Sequence, residues 1–320
     1  MFKIKQSLDA VNYGAYFYKG SPLTMEAVVD RAAKFGYDAV DLWPHRPMTF
    51  PPDLNAAARK KLLGYANDKG IKFAAVDACT NFMRSDHALV PHTEKELLYV
   101  RSCCELARDL ECPTVRILPA FIGYFWHQYW DQGYCQTAMH SRTYEVSTQD
   151  DYLLEWESVR SGIIESGHIA KEFGVELAVQ GHPPVVNEVQ DLIDLVDEVN
   201  LPNVKIGLDL PLFDHQESDY VYETVKKIGK KMIHSHTLGS KTRIGPGGFA
   251  YASMEVVPGE GVENWLPFFK ACKEVGYEGY FAYEQCAPFL MPGHVKPTIE
   301  EIDRRQQVGF DFIKSFEAQI

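Results

Sequence analysis

Short apolar runs rich in β-branched and aromatic residues alternate along the chain with longer stretches in which apolar residues recur every three or four positions. The first pattern is that of buried strands, the second that of helices with one buried face. Eight runs have strand character: KIKQSL (3–8), AVDLW (39–43), KFAAVDA (72–78), TVRILPA (114–120), ELAVQGH (176–182), VKIGLDL (204–210), KMIHSHT (231–237) and GYFAYEQ (279–285). Between them, LTMEAVVDRAAKFG, EKELLYVRSCCELARDL and VENWLPFFKACKEVG read as amphipathic helices. Gly36, Gly70, Gly174 and Gly276 stand where a helix must stop before a strand. Eight strand–helix units in 320 residues predict an α/β fold, a (β/α)8 barrel forming a single domain over 1–320. A doubly wound sheet usually has fewer strands and a glycine-rich phosphate loop, and no GxGxxG occurs here.

One connection breaks the rhythm. Residues 119–151 carry eight aromatic side chains and follow the fourth strand, on the face where barrel enzymes keep their active sites. This predicts a lid-like insertion whose Tyr124, Phe125, Trp126, Tyr129 and Trp130 stack on a flat or sugar-like ligand, or else an insertion that packs on itself or on a partner chain.

Strand parity locates the chemistry. Inward and outward residues alternate along a barrel strand, so the last inward side chains of neighbouring strands converge at the mouth. With Leu177, Val179, Ile206, Leu208, Ile233, Ser235, Phe281 and Tyr283 outward, the inward tips are Gln180, Asp209, His236 and Glu284. Two carboxylates, an imidazole and an amide oxygen form a hard donor set suited to Mn²⁺ or Mg²⁺. The same parity turns Asp41, Arg116 and His182 inward, and it makes His234 a buried residue below the ion. Asp41 and Arg116 are expected to contact substrate, as are Tyr129, Trp130 and Arg243, with Lys241 beside the last.

Charge and cysteines narrow the partners. A net charge of −12 without a basic block repels a phosphate backbone, so nucleic acid is excluded in favour of a small-molecule carbohydrate or glycoside. The seven cysteines contain no CxxC pair and read as reduced and structural. No apolar run reaches the roughly 18 to 20 residues of a membrane helix, and the N-terminal residues lack a cleavable signal, so a cytoplasmic protein is expected.

The order of these strands, HSHT on the seventh, PGEG (258–261) and YEGYFAYE ending in Glu284 resemble the xylose isomerase-like superfamily of TIM barrels, which includes sugar isomerases and epimerases. The resemblance implies a divalent ion, Mn²⁺, Mg²⁺ or Co²⁺, held by Glu, Asp, His and Glu at the ends of strands 5 to 8. These ligands fall here on Gln180, Asp209, His236 and Glu284. It also implies proton abstraction next to a sugar carbonyl. The insertion is one departure, and Leu212, where many members carry a histidine, is another.

Gln180 is the informative departure, because an amide can ligate but cannot exchange a proton. One base and an acid suffice for a β-elimination, so a lyase fits better than a two-base epimerase. Candidate proton-transfer groups are His182, Glu284 and, on the insertion, His140 and Glu145. The long aromatic insertion with a substituted strand-5 ligand resembles the α subunit of bacterial C-glycoside deglycosidases. That resemblance implies C–C cleavage of a 3-oxo C-glycoside, a small second subunit and an oligomer. The alternatives are an isomerase or epimerase of free keto-sugars and a non-catalytic binding barrel.

Overall fold

Eight of the apolar runs become parallel strands that close on themselves in the computed structural model, which describes residues 2–84, 92–120, 124–126, 135–137, 149–244, 250–285, 291 and 295–320. The barrel strands are β1 (Gln6–Asp9), β2 (Ala39–Leu42), β3 (Lys72–Asp77), β4 (Thr114–Ile117), β7 (Glu176–Gln180), β8 (Val204–Gly207), β9 (Met232–Thr237) and β12 (Tyr280–Tyr283). They run around the ring in the order β1-β12-β9-β8-β7-β4-β3-β2. Eight α-helices are described: α1 (Met25–Phe35), α2 (Ala56–Asp68), α3 (His92–Asp109), α4 (Gln149–Phe173), α5 (Val189–Val199), α6 (Ser218–Ile228), α7 (Trp265–Val275) and α8 (Ile299–Lys314). Two antiparallel hairpins are added, β5 (Tyr124–Trp126) with β6 (Cys135–Thr137), and β10 (Gly239–Ile244) with β11 (Ala250–Val256). The first hairpin lies within residues 119–151. Among the described residues, no helix is long and apolar enough to cross a membrane.

Local chemistry explains the boundaries. Thr24 opens α1 by accepting the Ala27 N–H, and Gly36, at φ 91°, closes it with its own N–H on the Ala32 and Ala33 carbonyls. The strands are shorter than the apolar runs that announced them. β7 ends at Gln180, before Pro183 and Pro184, and β8 ends at Gly207, before the short 3₁₀ helix Leu210–Leu212 that contains Pro211. Proline has no N–H for the ladder and restricts the residue ahead of it. The polar residues Gln180 and Asp209 therefore sit at strand ends, where a side chain can turn into the mouth.

Leu177, Val179 and Ile206 are buried against the helices, with Leu192, Leu195 and Val196 of α5 among the buried residues of the same apolar core. Inside the ring, partnered residues of parallel strands share a side: Asp9 pairs with Asp41, Asp77 with Arg116, Arg116 with Ala178, Gln180 with Gly207, and Gly207 with His234. Barrel interiors are usually filled by branched apolar side chains. This one instead holds Asp9, Asp41, Asp77, Arg116, Gln180, His234 and His236, none more than 3% exposed. Small partners such as Ala178, Gly207 and Ala282 make room for them.

Gly279, just before β12, shows how tightly the ring is closed: a Cβ there would come within 2.3 Å of the Ile233 carbonyl oxygen. That oxygen is backbone, so it cannot swing aside as a side chain would. Gly279→Ala is expected to destabilise the fold by about 1–3 kcal/mol, measured as a lower midpoint in urea.

Candidate active site

Four side chains from consecutive strands meet around one atom. His236 Nδ1 lies 3.0 Å from Gln180 Nε2, 3.1 Å from Asp209 Oδ2 and 3.5 Å from Glu284 Oε2. Asp209 is held from two directions, because its Oδ1 accepts the backbone N–H of His236 at 2.6 Å while its Oδ2 touches Gln180 Nε2. Atoms bound about 2.1 Å from a common ion stand roughly 3 to 3.5 Å from one another, so these separations suit ligation. A half-turn of the Gln180 amide would present its oxygen in place of its nitrogen.

More acids surround this group. Asp77 Oδ2 faces His236 Nε2 at 3.5 Å, and Arg116 joins Asp77 Oδ1 at 3.3 Å to Glu284 Oε1 at 3.5 Å. His234 Nε2 bonds Asp41 Oδ2 at 2.6 Å, and the Ser7 hydroxyl donates to Asp41 Oδ1. Asp9 accepts the Val11 N–H at 2.8 Å through Oδ1. Two buried sets of donor atoms, Asp41, Asp77, His234 and His236, and Asp9, His236 and Glu284, each lie within 4.8 Å of one another. Both share His236.

Five carboxylates thus face one guanidinium and two imidazoles. Burial raises the Asp9 carboxyl well above the usual range, and the charges of Asp77 and Glu284 push it further. Burial also raises Glu284, against the pull of His236 and Arg116. Burial opposes charge on Asp209 and Asp77 as well, but His236 brings Asp209 down, and Arg116 with His236 brings Asp77 down. Burial disfavours a charged His236, yet Glu284 and Asp209 hold its pKa well above that of an ordinary imidazole. A site that draws protons onto a buried histidine has more negative charge than positive. Asp9 Oδ2, Asp77 Oδ2 and His236 Nε2 are buried there without a hydrogen-bond partner.

Residues 29–307 match the family model described as xylose isomerase-like TIM barrel. The chain belongs to that family. An inosose dehydratase of Geobacillus kaustophilus is 26% identical over 280 residues, covering 83% of this chain and 81% of the relative. A D-psicose 3-epimerase of Ruminiclostridium cellulolyticum is 26% identical over 316 residues, 94% of each chain. A crystal structure of an IOLI protein with a binding zinc atom superposes with a TM-score of 0.70 at 21% identity, covering 98% of each chain. The relatives of this xylose isomerase-like barrel are thus lyases and isomerases that act on small sugars and cyclitols.

The remaining residues singled out in the sequence are distributed differently from one another. His182 is half-buried two positions past Gln180, and burial with the charge of Arg116 lowers its pKa to about 4, leaving it neutral at pH 7. Asp41 and Arg116, expected to contact substrate, are 0% and 2% exposed, Asp41 bonded to His234 and Ser7 and Arg116 to Asp77 and Glu284. They brace the site from inside the barrel. Lys241 and Arg243 lie on β10, opposite Met254 and Ala252 of β11. Tyr124, Phe125 and Trp126 form β5. His140, Glu145, Tyr129 and Trp130 lie outside the described residues. Sequence reasoning overlooked Asp9 and Asp77, although SLDA, AVDL and AVDA carry an aspartate at the same place near the end of the first three strands.

Arg116 is the only fully buried cation of this cluster that cannot lose its charge. Arg116→Met removes the partner of Asp77 and part of that of Glu284. Stranding a buried charge costs about 3–5 kcal/mol, so a lower thermal midpoint and weaker retention of activity on heating are expected.

Proposed function

We propose that the chain is a divalent-metal-dependent lyase acting on a keto-sugar or keto-glycoside, removing the proton next to the carbonyl and expelling a β-substituent. One observation carries this reading: an amide, Gln180, stands among Asp209, His236 and Glu284 around the same imidazole nitrogen. An acid in that position could pass protons to one face of a substrate, whereas an amide cannot. A reaction needing one base at carbon therefore fits better than one needing two.

Gln180, Asp209, His236 and Glu284 would hold the ion, Mn²⁺ foremost from the oxygen-rich set, with Mg²⁺ or Co²⁺ also accommodated. The 3.0, 3.1 and 3.5 Å separations around His236 Nδ1 and the excess of acid that draws protons onto that histidine support the fit, and a solved structure of the same fold holds a zinc ion. When bound, such an ion polarises the substrate carbonyl and favours negative charge on its oxygen. The chain supplies the rest. Asp77 Oδ2 stands 3.5 Å from His236 Nε2, the side from which a carboxylate can steady a ligating histidine. Arg116 fixes the free oxygen of Glu284, and Glu284 and His182 are the proton-transfer groups beside the ion.

The names of the relatives support the shared first step: dehydration of an inosose is a β-elimination, and 3-epimerisation of psicose moves a proton next to a carbonyl. Within the lyase reading, a carbon-linked aglycone of a 3-oxo C-glycoside is the leaving group that the aromatic composition of residues 119–151 suits. A small second subunit and an oligomeric state go with that substrate. The second reading, an epimerase of free keto-sugars, is favoured by the 94% coverage of the D-psicose 3-epimerase.

The test offers Mn²⁺-loaded protein a 3-oxo C-glucoside, an inosose and D-psicose in heavy water. Released aglycone or dehydrated inosose supports the lyase. Deuterium retained in an epimerised ketose, with no leaving group lost, supports the second reading and overturns the first.

A further inference from the structure

Gln180 puts an untitratable side chain in a ligand position, and the half of the barrel mouth opposite the ligands is where a further group can meet the substrate. The candidate ligands stand on β7, β8, β9 and β12, four consecutive strands that make one half of the ring. A substrate held there extends over the other half, formed by β4, β3, β2 and β1. β2 is four strands from β8 in either direction, directly across the mouth.

Beyond β2 the chain reads Trp43, Pro44, His45. His45 is half-buried, its ring 4.7 Å from that of Trp43 and 5.7 Å from that of Tyr99 on α3. The Tyr99 hydroxyl lies 3.1 Å from His45 Nε2 and 3.1 Å from the Pro44 carbonyl oxygen. A phenol has one proton, and burial keeps this one on Tyr99 by raising its pKa well above the usual value. The Pro44 carbonyl has no other donor among the described residues, so the Tyr99 proton goes to it. With the Tyr99 proton so directed, His45 Nε2 carries its own hydrogen toward the Tyr99 oxygen, and Nδ1 keeps a lone pair that no described residue engages. Arg116, the guanidinium that reaches Glu284, is near enough for its charge, after burial, to help lower the His45 pKa to about 4, so the ring is neutral at pH 7.

Three other polar groups described past the strands of this half are committed. Asn12 donates to the Tyr283 carbonyl and accepts the Gln285 N–H, Thr80 donates to the Leu118 carbonyl, and burial pushes the Cys79 thiol up to about 12.

We propose that His45 is a catalytic residue, the base that serves the substrate face Gln180 cannot reach. The assignment rests on the lyase reading above. His45 Nδ1 takes the proton from the carbon next to the carbonyl, and the electron pair of the broken C–H bond moves onto the carbonyl oxygen as an enolate. Return of that pair forms a carbon–carbon double bond and expels the β-substituent with its bonding electrons. The leaving group takes up a proton from His45 or from the groups beside the ion, so no oxidant or reductant is consumed. Tyr99 is a positioning residue that fixes the tautomer.

Three variants of the full chain, His45→Ala, His45→Gln and Tyr99→Phe, are compared with wild type under Mn²⁺, following solvent deuterium exchange and elimination with the same three ketones. Both His45 variants are expected to lose about 10²–10⁴-fold in exchange and elimination while keeping wild-type metal content and thermal midpoint. Added imidazole should restore part of the rate in His45→Ala but not in His45→Gln, and Tyr99→Phe should fall by less. Exchange at the wild-type rate in the His45 variants overturns the assignment, as does a loss that follows lost metal or lost folding. A metal-loaded wild type that exchanges no proton with any ketone overturns the lyase reading instead. Nitrogen NMR of histidine-labelled protein then judges His45 separately: a protonated Nδ1 overturns the proposal, and a bare one upholds its structural basis.

Discussion

Asp209→Asn should lose its ion and about a thousandfold of its turnover, and the metal-free protein should also melt lower than metal-free wild type. The carboxylate oxygens of Asp209 face the His236 backbone N–H, the His236 ring and Gln180. Asparagine keeps the size and one carbonyl oxygen but not the charge. Polarisation of a carbonyl by a bound ion is worth several kcal/mol, and each 1.36 kcal/mol is a factor of ten, which gives about 10³. The lower midpoint without metal follows because the His236 ring and its backbone N–H hold the Asp209 carboxyl below its usual range against burial, so its charge is net favourable in the fold. A residue that served only as a structural ion-pair partner of His236 would lower the midpoint equally with and without Mn²⁺, leaving the stabilisation by Mn²⁺ intact. Thermal midpoints with and without Mn²⁺, beside turnover, separate the two.

Gln180→Glu is expected to change the product more than the rate. It adds a carboxylate next to Asp209 and His236, so the ion should bind more tightly while metal-free protein melts lower. The new acid can also exchange protons with the substrate from a position beside the ion, which the amide cannot do. Deuterium washed into unreacted ketose, and epimer formed from D-psicose, should rise at least about tenfold relative to elimination, at the low end of what a positioned acid–base group supplies. An unchanged ratio would mean that the amide does not decide between elimination and epimerisation. The product ratio is read by NMR in heavy water and needs no knowledge of the native substrate.

Direction was easier to read in the sequence than depth. The period-two alternation in ELAVQGH, VKIGLDL, KMIHSHT and GYFAYEQ was enough to bring Gln180, Asp209, His236 and Glu284 to one side, and the structure sets three of them within 3.5 Å of one nitrogen of the fourth. Parity states whether a side chain faces the lumen, but not which layer it occupies, because layers depend on the stagger between strands. Asp41 and Arg116 face inward as expected, where Asp41 pairs with Asp9 and Arg116 with Asp77, and where Ser7 and His234 bond Asp41 while Asp77 and Glu284 bond Arg116. Those pairings join residues 32 and 39 positions apart, so no local window contains them. Asp9 lies one residue past KIKQSL and Asp77 one residue before the end of KFAAVDA, so each reads as the edge of a strand rather than as part of a site. His45 carries no periodic signal at all. Its chemistry depends on Tyr99, a contact made across 54 positions.

The central claim is that Gln180, Asp209, His236 and Glu284 hold one divalent ion. The most direct measurement is the metal content of purified protein after Mn²⁺ is added and the excess removed. One ion per wild-type chain, and none in Asp209→Asn, is the predicted result. No ion in wild type, or the same content in both proteins, would contradict the account.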